Sequence, residues 1–203
     1  MEMTRTKIPL SEYEPSADTV LLMYGVSWDE FETLLAIRGE RSRPKVAYLD
    51  GTLELMSTSQ THEQIKSTIG RLVEAYCLEV DMPFAVYGSW LLEKRRKKAG
   101  AMPDECYIFD EHPKRKPVLD LVIEVVWTSG GLDKLEIYRR MEVGEVWFWR
   151  KGKISVHMLG ANGYTTRERS VCLPRLDLEL ITKLALVEPT SAAIKKLRAA
   201  VRS

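Results

Sequence analysis

The residues most in need of a chemical explanation lie in one short stretch, Leu119-Asp120-Leu121-Val122-Ile123-Glu124-Val125-Val126-Trp127. A nearly continuous apolar run of this kind predicts a strand buried on both faces. Side chains alternate along a strand, so Asp120, Val122, Glu124 and Val126 share one face. An ionised carboxylate in such surroundings is costly unless it is paired or bound to a metal. Glu124 therefore has two readings, an ion pair with a buried Arg or Lys or a place in a metal site. Asp104 adds weight to the second. It follows Pro103, precedes the apolar Cys106, Ile108 and Phe109, and stands near the start of a strand predicted over 102–109. Two strands that carry carboxylates near one edge can present both to a single hard cation. Oxygen ligands with several retained waters suit Mg²⁺. The plainer alternative is that Asp104 or Glu105 caps the strand entry. Lys134 is the third candidate, on a helix predicted over 132–141 with Tyr138 and Met141 on its stripe. Its ammonium either turns toward the strand ends or runs out to solvent, the usual course for such a lysine.

The elements that must position these groups can be read along the chain. Residues 1–25 hold Pro9 and Pro15, show little periodicity and predict an irregular arm. Ser27 and Glu30 form a capping box for a short helix. Val46 to Met56 predicts a hairpin about Asp50-Gly51, a pair that readily takes a tight turn. Thr61 to Val80 is the clearest helix, with Thr61 and Gln64 as a capping box and Ile65, Ile69, Leu72 and Tyr76 as one buried stripe. His62 lies one turn before Ile65. Phe84 to Leu92 predicts a strand, followed by a basic loop of Lys94, Arg95, Arg96, Lys97 and Lys98. A hairpin over 144–159, a strand near 164–169, a short helix within 174–186 and a helix over 191–201 complete the chain. The domain reading is an arm (1–25), an α/β domain (26–188) and a C-terminal helix (189–203).

Composition narrows the class. The chain has 203 residues, 45% hydrophobic and 29% charged, which suits one soluble α/β domain. A net charge of +1 does not announce nucleic-acid binding, although a local patch can supply the field. There is no apolar run long enough for a membrane span and no signal peptide, so a cytoplasmic protein is expected. Cys77, Cys106 and Cys172 are odd in number and are not spaced like a zinc site.

Pro103-Asp104 followed by Glu124 inside an apolar strand resembles the PD-(D/E)XK nuclease motif. The chain is more narrowly similar to the Uma-two family, restriction-endonuclease-like proteins. The matching segments are Tyr48 to Ser57, His62-Glu63, Met102 to Tyr107, Asp120 to Val125, Leu132 to Tyr138 and Val143 to Trp147. They run in the family's order from about residue 26 to 185. The resemblance implies a restriction-endonuclease-like core, a mixed β-sheet flanked by helices, and metal-dependent cleavage of DNA. Asp104 and Glu124 would hold Mg²⁺ or Mn²⁺. The motif lysine belongs two residues after Glu124, where this chain has Val126, and Lys134 is the stand-in.

Glu54, His62 and Glu63 are further candidates. Glu54 and Glu63 are ligands, directly or through water, or else a solvated strand face and a favourable charge at a helix N-terminus. His62 contacts substrate phosphate or is a hydrogen-bonded core residue. Lys94 to Lys98 is expected to track DNA backbone, because Asp104 follows six residues later. Two alternatives to an active nuclease stay open. One is a nuclease-fold nucleic-acid-binding or assembly module, favoured by Val126. The other is a metal-dependent hydrolase of a smaller phosphate ester, although no phosphate-cradling glycine loop is present. A homodimer is compatible with the sequence.

Overall fold

The computed structural model describes residues 18–41, 43–126 and 131–202. Trp127 and residues 1–17 of the predicted arm lie outside them. The chain runs β1 (Thr19–Tyr24), α1 (Trp28–Arg38), β2 (Lys45–Leu49), β3 (Thr52–Ser57), α2 (Gln60–Glu79), β4 (Ala85–Val86), β5 (Leu92–Lys94), β6 (Ala99–Ala101) and β7 (Glu105–Ile108). It continues β8 (Leu121–Val125), α3 (Lys134–Met141), β9 (Glu145–Arg150), β10 (Lys153–Gly160), β11 (Gly163–Arg167), α4 (Leu178–Leu184) and α5 (Thr190–Arg202).

The strands form two sheets rather than one. A five-stranded sheet has the order β1-β3-β2-β6-β5, and a six-stranded sheet has the order β11-β10-β9-β8-β7-β4. The second is mixed, with β8 and β9 parallel and its other pairs antiparallel. The chain crosses from the first sheet to the second between β6 and β7, at Met102-Pro103-Asp104. Proline has no N–H to extend a ladder. The break leaves Asp104 at the junction of the sheets, one step before β7.

Local chemistry explains most elements. Ser27 and Glu30 exchange the predicted capping bonds, with Ser27 N–H donating to Glu30 Oε2 at 2.7 Å. Asp50 and Gly51 both take positive φ, 45° and 91°, in the hairpin turn. α2 begins earlier than predicted: Ser59, not Thr61, is its N-cap, and its Oγ accepts the His62 N–H at 3.2 Å. Ile69 and Leu72 of the α2 stripe are fully buried, each worth about 1.5–3 kcal/mol. They fix α2 against the six-stranded sheet beside Leu121, Ile123 and Val125. The opposite face of that sheet, through Cys106, Val122 and Val146, packs on Ala47, Ala99 and Ala101 and on Ile137 and Tyr138 of α3.

Three expectations need correction. The arm read as irregular to residue 25 ends in β1, antiparallel to β3. Its side chains are exposed or half-buried, so no buried face marks it in the sequence, and its neighbour supplies the pairing. The strand predicted over 84–92 is split into β4 and the start of β5 around Gly88, which has φ 57°. Ala99-Gly100-Ala101, read as no element, is a buried strand. A Cβ on Gly100 would meet Leu92 O and Glu93 Cβ at 3.3 Å, so only a small residue fits there. The C-terminal helix α5 sends Ala193 and Leu197 into the core shared with α2.

Candidate active site

The antiparallel register of β7 and β8 sets the centre. Glu105 lies opposite Ile123 and Cys106 opposite Val122. One further step places Asp104 opposite Glu124, on the same face of the sheet. Both are buried. The third candidate, Lys134, opens α3 on the same side, with its side chain 15% exposed.

Asp104 is held from three directions. Its Oδ1 accepts the Lys45 ammonium, which also donates to Pro103 O at 3.1 Å. Its Oδ2 accepts the Val125 N–H at 2.6 Å. His62 Nε2 lies 3.0 Å from Oδ1, an ionic contact that is off the line of a hydrogen bond. The other ring nitrogen, Nδ1, meets Asp18 Oδ2 at 2.7 Å, and Asp18 Oδ1 accepts the Ser59 N–H at 2.7 Å. Burial opposes the Asp104 charge, but Lys45 and then His62 outweigh it and hold the carboxyl well below its ordinary range. Burial also works against the His62 charge. Its two carboxylates prevail and raise it to about 9, so His62 is an imidazolium at neutral pH. His62 is thus a buried, paired residue and not a surface contact for phosphate.

Glu124 is less well compensated. Burial pushes its carboxyl up, and Asp104 adds to this, while Lys134, Lys45 and Tyr138 oppose it. Its Oε1 accepts the Tyr138 hydroxyl. Burial and the adjacent Glu124 carboxylate push the Tyr138 hydroxyl well above its ordinary range. Lys134 does not run out to solvent. Its ammonium sits 3.1 Å from Glu54 Oε1, and although burial disfavours its charge, Glu124 and Glu54 raise its pKa. A lysine in the first turn opposes the helix dipole, so its place is set by these carboxylates.

Glu54 is not on a solvated face. It is buried, and its Oε2 accepts the Leu132 N–H at 2.9 Å. A Cβ on Gly131 would collide with the same oxygen, so the glycine lets backbone close over the carboxylate. Glu63 is directed elsewhere, to Thr58 Oγ1 at 2.6 Å, Arg43 at 3.4 Å and Lys66 at 3.5 Å. Glu54, Glu124, Lys134 and Asp18 line one cleft of about 510 Å³, with Phe148 and Val126 among its apolar walls. Asp104 is fully buried and is not among the residues that line the cleft.

The basic stretch is placed away from this centre. Lys94 to Lys98 forms the tight turn between β5 and β6, beside Asp50, whose N–H donates to Lys98 O at 3.0 Å. Lys45 and Asp50 are at opposite ends of β2, roughly 13 Å or more apart at strand rise. β6 occupies the residues between the turn and Asp104, which removes the proximity inferred from sequence spacing. Arg95 pairs with Asp29 and Glu32, and Lys94 and Lys97 pair with Glu142 at 3.6 and 2.7 Å.

Sequence reasoning missed Lys45, Asp18 and the bond from Tyr138. A lysine heading a strand whose first four positions are all buried is the only local sign of Lys45. Asp18 falls where no element was predicted. Tyr138 was placed on the correct helical stripe but not tied to Glu124.

The donor set suits a hard divalent ion. Glu124 and Glu54 bring carboxylate oxygens to one cleft, and Glu124 lacks full compensation for its charge. No ready-made group of three or more His, Cys, Asp or Glu is present among the described residues, so water would complete the shell. Asp104 would join only through the oxygen valence that Lys45, His62 and Val125 leave to it.

Comparison with known proteins bears on the fold and the family. The chain matches the structure of "a putative nuclease belonging to DUF820" from Anabaena variabilis ATCC 29413 with a TM-score of 0.50 at 12% identity, covering 85% of this chain and 99% of that one. At that identity the likeness shows the fold. No curated protein matches the chain. Residues 28–188 match the Uma2 family model, described as "Putative restriction endonuclease". That span takes in every strand from β2 to β11 and all three central candidates, and the chain is therefore a member of the Uma2 family with a restriction-endonuclease-like fold.

Proposed function

We propose that this protein is a nuclease that hydrolyses DNA phosphodiester bonds with a divalent metal, Mg²⁺ or Mn²⁺, held by Glu124 and Asp104. The observation that carries the reading is the buried, under-compensated Glu124 carboxylate, set opposite Asp104 and open to a cleft that also holds the Lys134 ammonium. Structural burial alone does not account for such a group. A divalent ion held by these carboxylates would supply Lewis-acid activation of water and offset negative charge at the phosphate.

The chain's own residues have separable duties in this scheme. Lys134 faces the cleft and stabilises negative charge at the phosphate, the part the motif lysine plays two residues after Glu124 in related nucleases. Glu54 holds the Lys134 ammonium in place. Tyr138 fixes the Glu124 rotamer by donating to Oε1. Asp18 and His62 hold the Asp104 carboxylate from behind. The phosphate must enter on the cleft side, because Asp104, His62 and Tyr138 are closed off from solvent.

The engagement of Asp104 by Lys45, His62 and Val125 favours a second reading, a nuclease-fold binding module without efficient chemistry. The test is incubation of supercoiled plasmid with purified protein and Mg²⁺ or Mn²⁺, beside Glu124→Ala. The nuclease reading expects metal-dependent nicking that the variant loses. No nicking with either ion, together with retained DNA binding, would move the protein to the second reading.

A further inference from the structure

We infer that Lys45 is a built-in countercation that competes with the divalent ion for Asp104, and that it sets the metal affinity of the site. The inference rests on the nuclease reading and adds to it a residue that the motif does not contain.

Lys45 is the first residue of β2 and is 5% exposed. It does not line the cleft, so substrate phosphate is not its partner. Its ammonium has two acceptors among the described residues, Asp104 Oδ1 and the neutral Pro103 carbonyl. Asp104 is therefore the one carboxylate it contacts among the described residues, while Glu63, Glu105 and Glu124 feel its charge at longer range. His62 differs, because Asp18 neutralises it from the other side. Lys134 differs again, because Glu54 holds it within the cleft. Of these three cations, Lys45 is the one whose direct carboxylate contact among the described residues is Asp104 alone.

A carboxylate offers about four lone-pair positions. On Asp104, Lys45 and His62 crowd Oδ1, and Val125 N–H takes one side of Oδ2. A divalent ion reaching Asp104 must use what is left on Oδ2 or displace the ammonium from Oδ1. Charge balance points the same way. Asp18, Glu54, Asp104 and Glu124 face Lys45, His62 and Lys134, which leaves one net negative charge when all are ionised. A divalent ion overshoots that charge by one. With Lys45 neutralised, it balances it. Lys45 thus keeps Asp104 ionised and in place before metal arrives, and weakens the metal once it is there.

The experiment measures Mn²⁺ affinity of the full chain by calorimetry, with thermal unfolding in chelator and in excess Mn²⁺. The proteins are wild type, Lys45→Met and Lys45→Gln, with Glu124→Gln to locate the site. The Gln variant keeps a donor for Oδ1 and so keeps the fold within reach if the Met variant unfolds. The expected result is a Kd lowered at least tenfold in the Lys45 variants. Their Tm should be lower than wild type in chelator, and Mn²⁺ should raise it by more than it raises wild type. Unchanged or weaker Mn²⁺ binding, with equal Tm loss in chelator and in metal, would make Lys45 a structural partner only and overturn the inference, while leaving the nuclease reading intact. No Mn²⁺ binding by wild type or by either Lys45 variant would overturn both.

Discussion

The cluster around Asp104 and the turn at residues 94–98 are both dense in charge, and they are built in opposite ways. Lys45, His62, Asp18, Asp104 and Glu124 are buried, and they come from five separate parts of the chain. Arg95, Lys94 and Lys97 lie on the surface, and their partners Asp29, Glu32 and Glu142 are themselves well exposed. Exposed pairs of this sort contribute about 0–1 kcal/mol each. Buried pairs carry a desolvation cost that often exceeds their attraction, so stability alone is a poor reason to keep them. A charge run along the sequence thus marks an exposed turn and not the buried cluster. The buried charges are dispersed in sequence and converge in space.

The largest expected effect is on the buried side. Asp104→Ala leaves Lys45 without its one direct carboxylate contact and His62 with one of its two, a loss of about 3–5 kcal/mol. Calorimetry of the metal-free protein measures it. A loss below about 1 kcal/mol would erase the distinction between the two regions. Tyr138→Phe is a smaller cut at the same centre. It removes the donor to Glu124 Oε1 and should cost about 1–3 kcal/mol in urea unfolding. A neutral result would mean that water replaces the hydroxyl and that Glu124 is more open than its burial indicates.

On the surface side, Arg95→Ala and Lys97→Ala should each leave the midpoint of urea unfolding close to wild type. The salt dependence of DNA binding should also stay close to wild type. A slope reduced by about one per residue removed would restore a phosphate-tracking role to this turn. The smallest effect concerns Glu136, whose carboxyl Arg139 and then Arg140 hold down to about 2. Its folded pKa lies below the ordinary value of 4.5, so its contribution is present above about pH 4.5 and fades as pH falls through 2. Compared with Glu136→Gln, wild type should gain well under 1 kcal/mol above pH 5, and the gap should close toward pH 2. A gap that widened in acid would contradict the assigned shift.

Much of the centre was legible in the sequence because burial and charge conflict there. Glu124 inside an apolar strand, Asp104 after a proline and Lys134 on the next helix were each visible as an inconsistency. Glu54 was visible only as a candidate, since its burial depends on Gly131 and Leu132 closing over it from a distant segment. Lys45 and Asp18 gave almost no local sign. Their roles arise from the packing of β2 and of the chain before β1 against the Pro103 crossover, which no spacing rule encodes. β6 was missed for a related reason. Ala-Gly-Ala has weak strand propensity, and tight packing between the sheets, not side-chain preference, selects it.

In the proposed function the Glu124 centre cuts DNA with Lys134 in the role of the missing motif lysine. Lys134→Met tests it most directly, because it keeps the apolar stem and removes only the charge. Nicking rate and DNA affinity should be measured together at fixed salt and saturating Mn²⁺. The account predicts a cleavage rate lower by about a hundredfold or more, the scale of losing one preorganised electrostatic group. DNA affinity should change far less, because one phosphate contact is a small part of a backbone footprint. Cleavage at the wild-type rate in Lys134→Met would contradict it.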